Sequence, residues 1–227
     1  TSKDKMKVWV FVALDVELDT RHTMIELLHC DCMEYMATVP DKYFDLACVD
    51  PPYGIKNMNA GGRGMNRWID WEKKGWDDAA PDKKYFEELT RISKNQIIWG
   101  GNYFDLPPSK CWIIWDKGQR DFSLADGEMA WASFDKAMRI FELSRGAANT
   151  ETKIHPTQKP IRLYEWILSK FAKKGQRVFD SHLGSGSSAI AAHYFGVDFV
   201  GCELDKDYFE AAKARFDMAT KQLAMSI

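Results

Sequence analysis

Phe179-Asp180-Ser181-His182-Leu183-Gly184-Ser185-Gly186-Ser187-Ser188-Ala189 is the stretch on which the fold turns. Arg177 to Asp180 has the pattern of a short strand and Ser187 to Phe195 that of a helix. Between them Gly184 and Gly186 let the backbone approach a ligand with no Cβ in the way. The following strand, Asp198 to Glu203, ends on a carboxylate about twenty residues after the turn, where an acid accepts hydrogen bonds from both hydroxyls of a ribose. Strand, glycine turn, helix and strand-end acid in this order describe a nucleoside-binding βαβ unit.

The turn also fits G-x-G-x-x-A, so a nicotinamide dinucleotide is a rival ligand. Dinucleotide folds place this unit first, with a second nucleotide-binding half after it. Here only the Glu203 strand and one helix capped by Asp205 remain. S-adenosylmethionine, which needs a ribose clamp but no pyrophosphate cradle, is the better fit.

Upstream the same rhythm recurs. Ile25 to His29 reads as a strand, and Asp31 caps a short helix running to Val39 and stopped by Pro40. Phe44 to Val49 is a buried strand. Pro81 stands at N1 of a helix to about Lys94. Strands follow at Gln96 to Trp99, Cys111 to Trp115, Gly127 to Phe134 and Ala137 to Phe141, with a loop at Asn149 to Pro156. Pro160 opens a helix to about Lys173, closed by Gly175. This alternation predicts an α/β fold, a largely parallel sheet with helices on both faces. Residues 24–227 read as a single domain. Residues 1–23 are an extension of open role: Val8 to Val12 could add an edge strand, or a natural start could lie at Met24.

Asp50-Pro51-Pro52-Tyr53 follows the Phe44 to Val49 strand. Two prolines donate no ladder hydrogen bond, so the chain leaves the sheet at a strand's carboxyl end, where α/β sheets bind ligands. Methylation of an exocyclic amine on a nucleobase would use such a corner. The amine lone pair is delocalised into the ring, and acceptors that grip both hydrogens draw the nitrogen towards a tetrahedral shape. Asp50 offers a carboxylate oxygen, Pro51 a carbonyl, Pro52 rigidity, and Tyr53 a ring to stack on an extruded base. The plainer alternative is a turn after a strand. As a strand-end acid, Asp50 is expected at the surface with little packing.

Net charge is −2, which provides no global basic field but leaves room for a local groove. No apolar run reaches membrane-spanning length. The cysteines, Cys30, Cys32, Cys48, Cys111 and Cys202, are odd in number and lack paired CxxC spacing. They are read as free thiols of a reducing, cytoplasmic compartment, with no metal expected. Residues 54–80 differ from the rest in combining glycines with Arg63, Arg67, Lys73 and Lys74 and with Trp68, Trp71 and Trp76. This mixture suits a mobile loop that tracks a phosphate backbone and stacks on bases, although a solvated loop whose tryptophans pack on the core has the same composition.

Taken together, the motifs resemble the circularly permuted β group of DNA amino-methyltransferases, in which D-P-P-Y precedes the glycine-rich cofactor motif. His155-Pro156-Thr157-Gln158-Lys159-Pro160 is similar to the family's loop-to-helix segment beside the cofactor, and Trp99 to Tyr103 and Trp112 to Lys117 are similar to further family segments. The resemblance spans Ile25 to about Arg215. It implies a Rossmann-like, class I S-adenosylmethionine-dependent sheet and transfer of a methyl group to the N6 amine of adenine in DNA. N4 of cytosine, an RNA or protein amide, and a non-catalytic binding subunit are the alternatives. It further implies a catalytic Asp50, Pro51, Pro52 and Tyr53. The cofactor would meet Asp31 and Cys32 at its adenine, then Asp50, and His155, Thr157, Gln158 and Lys159. Its remaining partners would be Asp180, His182, Leu183, Gly184, Ser185, Gly186, Ser187 and Glu203. DNA is the implied partner, with a homodimer left open. Two departures stand out. The usual Pro-Phe after the motif's acid is Ser181-His182, and little chain is left between Phe141 and His155 for a target-recognition insert.

That shortage shifts DNA contact to residues 54–80, through Arg63, Arg67, Trp68, Lys73 and Lys74, or to a partner subunit. Replacing Arg63 and Arg67 by Ala should flatten the slope of log affinity for DNA against log salt by about one to two. Filter binding across a salt series measures it, and an unchanged slope moves the DNA surface elsewhere.

Overall fold

The computed structural model describes residues 23–55, 79–120, 125–148 and 150–224. The elements are β1 (Ile25–His29), α1 (Cys32–Thr38), β2 (Phe44–Val49), α2 (Lys83–Ile92), β3 (Ser93–Trp99), β4 (Cys111–Asp116), β5 (Gly127–Ala132) and β6 (Arg139–Glu142). They continue with α3 (Arg145–Ala148), α4 (Ile161–Phe171), β7 (Arg177–Asp180), α5 (Ser187–Phe195), β8 (Asp198–Glu203) and α6 (Lys206–Ala224). All eight strands join one sheet in the order β1-β8-β7-β2-β3-β5-β4-β6. Pairing is parallel throughout, save that β5 runs against both β3 and β4. Seven strands therefore end at one edge, and β5 begins there.

The apolar runs of the central strands are continuous because both faces of the sheet are covered. Leu46, Cys48, Ile97 and Trp99 pack on one side with Leu163, Ile167 and Leu168 of α4 and Ala189 and Ala192 of α5. Ala47, Val49 and Ile98 pack on the other with Met36 of α1 and Tyr85, Leu89 and Ile92 of α2. The small, buried face of α5 allows it to lie close against α4.

The order of strands reverses between β7 and β2: β8 and β1 extend one way from β7, and β3 extends the other way from β2. The loops leaving these two strands diverge and open a crevice, as at other topological switch points. The register pairs Ala47 with Phe179. Asp50 follows β2 and His182 follows β7, both at the carboxyl edge of the sheet.

Several boundaries differ from the sequence reading. Asp82, not Pro81, opens α2, because its carboxylate accepts from Tyr85 N–H at 3.0 Å and proline has no side chain that could do so. The helix ends at Ile92 and β3 begins at once with Ser93, whose hydroxyl donates to the Leu89 carbonyl at 2.5 Å. Pro160 occupies the cap position of α4 and Ile161 its first turn. The short α3 had no sequence signal of its own. Residues 8–12, like most of the stretch from 54 to 80, lie outside the described residues.

Gly100 ends β3 with φ +68°, and a Cβ built there falls 2.3 Å from the Tyr53 ring. The left-handed conformation alone costs a side chain roughly 1–2 kcal/mol, and overpacking adds roughly 1–3. Gly100→Ala should therefore lose about 2–4 kcal/mol in urea unfolding, read as a lower midpoint at unchanged m-value.

Candidate active site

A cavity of ≈ 860 Å³ opens at the carboxyl edge of the sheet. The end of β1 contributes Cys30, Asp31 and Cys32, and the end of β2 contributes Asp50 and Pro52. The β7 turn supplies Ser181 through Ser185, and the end of β8 supplies Glu203, Leu204 and Asp205. His155, Thr157, Gln158 and Lys159 close one side and Tyr85 the other. The structure thus brings together most of the residues singled out in sequence. Asp180, Gly186 and Ser187 stand outside the lining, as do Pro51 and Tyr53. Arg63, Arg67, Trp68, Lys73 and Lys74 lie outside the described residues. Among those described, no helix is long and apolar enough to cross a membrane.

Asp180 shapes the turn from behind. It is buried, accepts from Ser188 Oγ at 2.6 Å and from His182 N–H at 3.1 Å, and burial raises its carboxyl to about 7. Glu203 accepts from Gly184 N–H at 2.9 Å with Oε2 and from Asp205 N–H at 3.0 Å with Oε1; burial pushes its carboxyl up. An ionised carboxylate has about four acceptor positions, so about two remain for a ligand. Asp31 caps α1, accepting from Met33 N–H at 2.6 Å, and also lines the cavity. His155 packs edge-on against Tyr208 with ring centroids 4.4 Å apart, and burial lowers its imidazolium to about 4.

Behind Asp50 lies a chain of alternating charges in which the two lysines are buried and the two acids partly so. Asp50 Oδ1 accepts from the Tyr53 hydroxyl at 2.7 Å, and Oδ2 is paired with Lys159 Nζ. The same ammonium lies 3.3 Å from Glu128 Oε2 and 5.1 Å from the Trp99 ring centre. Lys117 Nζ holds the other Glu128 oxygen at 2.5 Å. Burial opposes the Lys159 charge, but Asp50 and Glu128 more than offset it and hold the ammonium above its ordinary range. Burial likewise opposes the Glu128 charge, yet Lys159 and Lys117 keep its carboxyl below the usual value. Its contribution to stability is therefore present above the unfolded value of about 4.3 and lost as pH falls through the depressed folded value. Tyr53 stacks on Tyr103, with centroids 5.1 Å apart at 16°, so one ring face is taken.

Two expectations change here. Asp50 is no surface acid: 18% of its side chain is exposed and its partner Lys159 is 4% exposed overall. Lys159, expected to meet the cofactor, spends its charge on Asp50 and Glu128. Glu128 was missed, although an acid beginning an otherwise apolar strand is a readable signal once the strand is known to start at the site edge.

Removing one partner of a buried ion pair commonly costs about 3–5 kcal/mol. Asp50→Ala should therefore lower stability by about 3 kcal/mol rather than leave the fold untouched. Chemical denaturation measures this, and Lys159→Met in the Asp50→Ala background should recover part of the loss by removing the stranded charge.

The pattern of the N6/N4 methyltransferases, described as DNA methylase, matches residues 105–214. The Type II methyltransferase M2.DpnII of Streptococcus pneumoniae is 24% identical over 242 residues, covering 84% of this chain and 89% of its own length. The crystal structure of an M1.HpyAVI–SAM complex superposes with TM-score 0.57 at 21% identity, covering 85% of this chain and all of that one. PvuII DNA methyltransferase (cytosine-N4-specific) reaches TM-score 0.56 at 12% identity, covering 88% and 92%. The two structures show a shared fold. The matched pattern and the relative aligned along most of its length show that this chain is similar to the N6/N4 DNA methylases.

Proposed function

We propose that the chain methylates the N6 amine of adenine in DNA, with S-adenosylmethionine as methyl donor. The observation that carries this reading is Asp50, fixed by Lys159 and Tyr53 at the wall of a cavity whose other end holds Glu203. The donor fits the residues present. The cavity falls within the usual size of a cofactor site, Glu203 keeps acceptor capacity for ribose hydroxyls, and Asp31 can accept from the adenine amine. His155, Thr157, Gln158, Leu183, Gly184 and Ser185 form the surrounding wall. When bound, the donor supplies a methyl group activated on a sulfonium.

Asp50 and the Pro51 carbonyl receive the two hydrogens of the target amine. As the amine nitrogen becomes tetrahedral and gains positive charge, its N–H groups donate more strongly. A carboxylate already held in place then stabilises that charge more than the resting substrate, the condition for raising turnover. Lys159 keeps Asp50 oriented without being consumed. Asp at position 50, rather than Ser, favours adenine over cytosine N4. The basic and aromatic residues between 63 and 74 are assigned to the DNA backbone and the extruded base.

Incubation with duplex DNA and S-adenosylmethionine, followed by digestion and mass spectrometry of the nucleosides, should yield N6-methyladenine. N4-methylcytosine would reassign the base. In single turnover, Asp50→Asn should slow transfer roughly a hundred- to a thousandfold. Glu203→Ala should weaken S-adenosylmethionine binding by about 2–3 kcal/mol in calorimetry.

A further inference from the structure

Ser181-His182, where the family resemblance leads one to expect Pro-Phe, joins Tyr85 in a chain of hydrogen bonds. Tyr85 and Ser181 are buried, and the Tyr85 hydroxyl lies 2.6 Å from Ser181 Oγ. Ser181 Oγ lies 2.8 Å from His182 Nδ1, and His182 lines the cavity with its ring edge-on to Tyr85 at 5.6 Å.

The direction of this chain of hydrogen bonds follows from counting protons. Burial holds the Tyr85 phenol well above its ordinary range, so it keeps its proton, and Ser181 is its single hydrogen-bond partner among the described residues. If Tyr85 donates to Ser181 and Ser181 donates to Nδ1, every proton has an acceptor. The reverse order leaves the phenol proton buried and unsatisfied, a cost large enough to populate the first order at least about tenfold. Burial also lowers the His182 imidazolium to about 4, against the pull of Asp50 and Asp31, so the ring is neutral at pH 7. With Nδ1 accepting, the one ring proton sits on Nε2. Among the described residues the one sealed, unpaired side-chain polar atom is Trp99 Nε1, so His182 Nε2 opens to the cavity.

We propose that Tyr85, Ser181 and His182 form an ordered relay that presents the His182 Nε2–H as a donor to the carboxylate at the amino-acid end of the bound S-adenosylmethionine. The proposal rests on the cofactor assignment above. In the sheet β7 lies between β8, which ends on Glu203, and β2, which leads to Asp50. A ligand reaching from a ribose on Glu203 to a reacting carbon near Asp50 places its amino-acid chain at the end of β7. There His182 lines the cavity, two residues past the end of β7. The cavity wall carries Asp31, Asp50, Glu203 and Asp205, which repel a carboxylate, while the Lys159 charge is already engaged. A neutral donor meets the carboxylate without disturbing these acids. The exposed Lys84 is the rival partner on this wall.

The test is calorimetry with two probes, S-adenosylmethionine and its decarboxylated analogue, with melting temperatures recorded for every variant. Wild type should prefer the carboxylated probe, and ¹⁵N shifts of His182 should report the proton on Nε2. His182→Phe should lose at least about tenfold in affinity for S-adenosylmethionine and nothing for the analogue, whereas His182→Gln, which keeps a donor, should retain most of the preference. Lys84→Ala should leave the preference intact. Equal loss of both probes in His182→Phe, or a preference abolished by Lys84→Ala instead, overturns the proposal and leaves the cofactor assignment standing. Failure of wild type to bind either probe overturns both.

Discussion

The buried ammonium of Lys159 is the contact on which the site depends. It ties the loop before α4 to the end of β2 through Asp50 and to the start of β5 through Glu128. An ion in such surroundings is tolerated only with close partners, and the loss of either leaves the ammonium with half of its counter-charge and almost no solvent. The geometry of Asp50 is therefore set by residues far apart in sequence, and Lys117 extends the alternation of charge by one more member. Trp99 lies beneath the same ammonium, so the apolar core of the sheet and the polar floor of the cavity meet at one atom.

The loop carrying His155 to Lys159 is anchored at its other end by a second ion pair. Arg215 of α6 reaches Glu151 at 2.5 Å and the Ser185 carbonyl at 2.8 Å, while Glu151 accepts from Ile161 N–H at 2.9 Å. One guanidinium thus fixes the glycine turn and the opposite wall relative to each other. Arginine suits the task because its fork serves several acceptors at once.

Much of this was legible in the sequence because it depends on local signals. The strand preceding Asp50, the cap at Asp31, the βαβ unit around Gly184 and the acid at Glu203 are each announced within a short window of residues. What escaped were relations made by topology. Glu128 matters because β5 runs against its neighbours and so begins where they end, and no local pattern states a strand's direction. Tyr85 looks like one more apolar residue on an amphipathic helix until the packing of α2 sets its hydroxyl beside Ser181. Asp50 was expected at the surface since a carboxylate after a strand usually is; its burial follows from a lysine more than a hundred positions away.

The arrangement of strands also dictates an order of events at synthesis. Among the described residues β1 has β8 as its one neighbour in the sheet, 174 positions further along the chain, and Met24 is engaged with Asp198 and Phe199. While the chain emerges from the ribosome amino terminus first, β1 must wait for β8, and the crevice between β2 and β7 does not exist. Long-range parallel pairings of this kind close slowly and leave nascent segments exposed to other chains. The strands that carry the glycine turn and Glu203 come last, so a nascent chain makes the Asp50 corner before the opposite wall of the cavity exists.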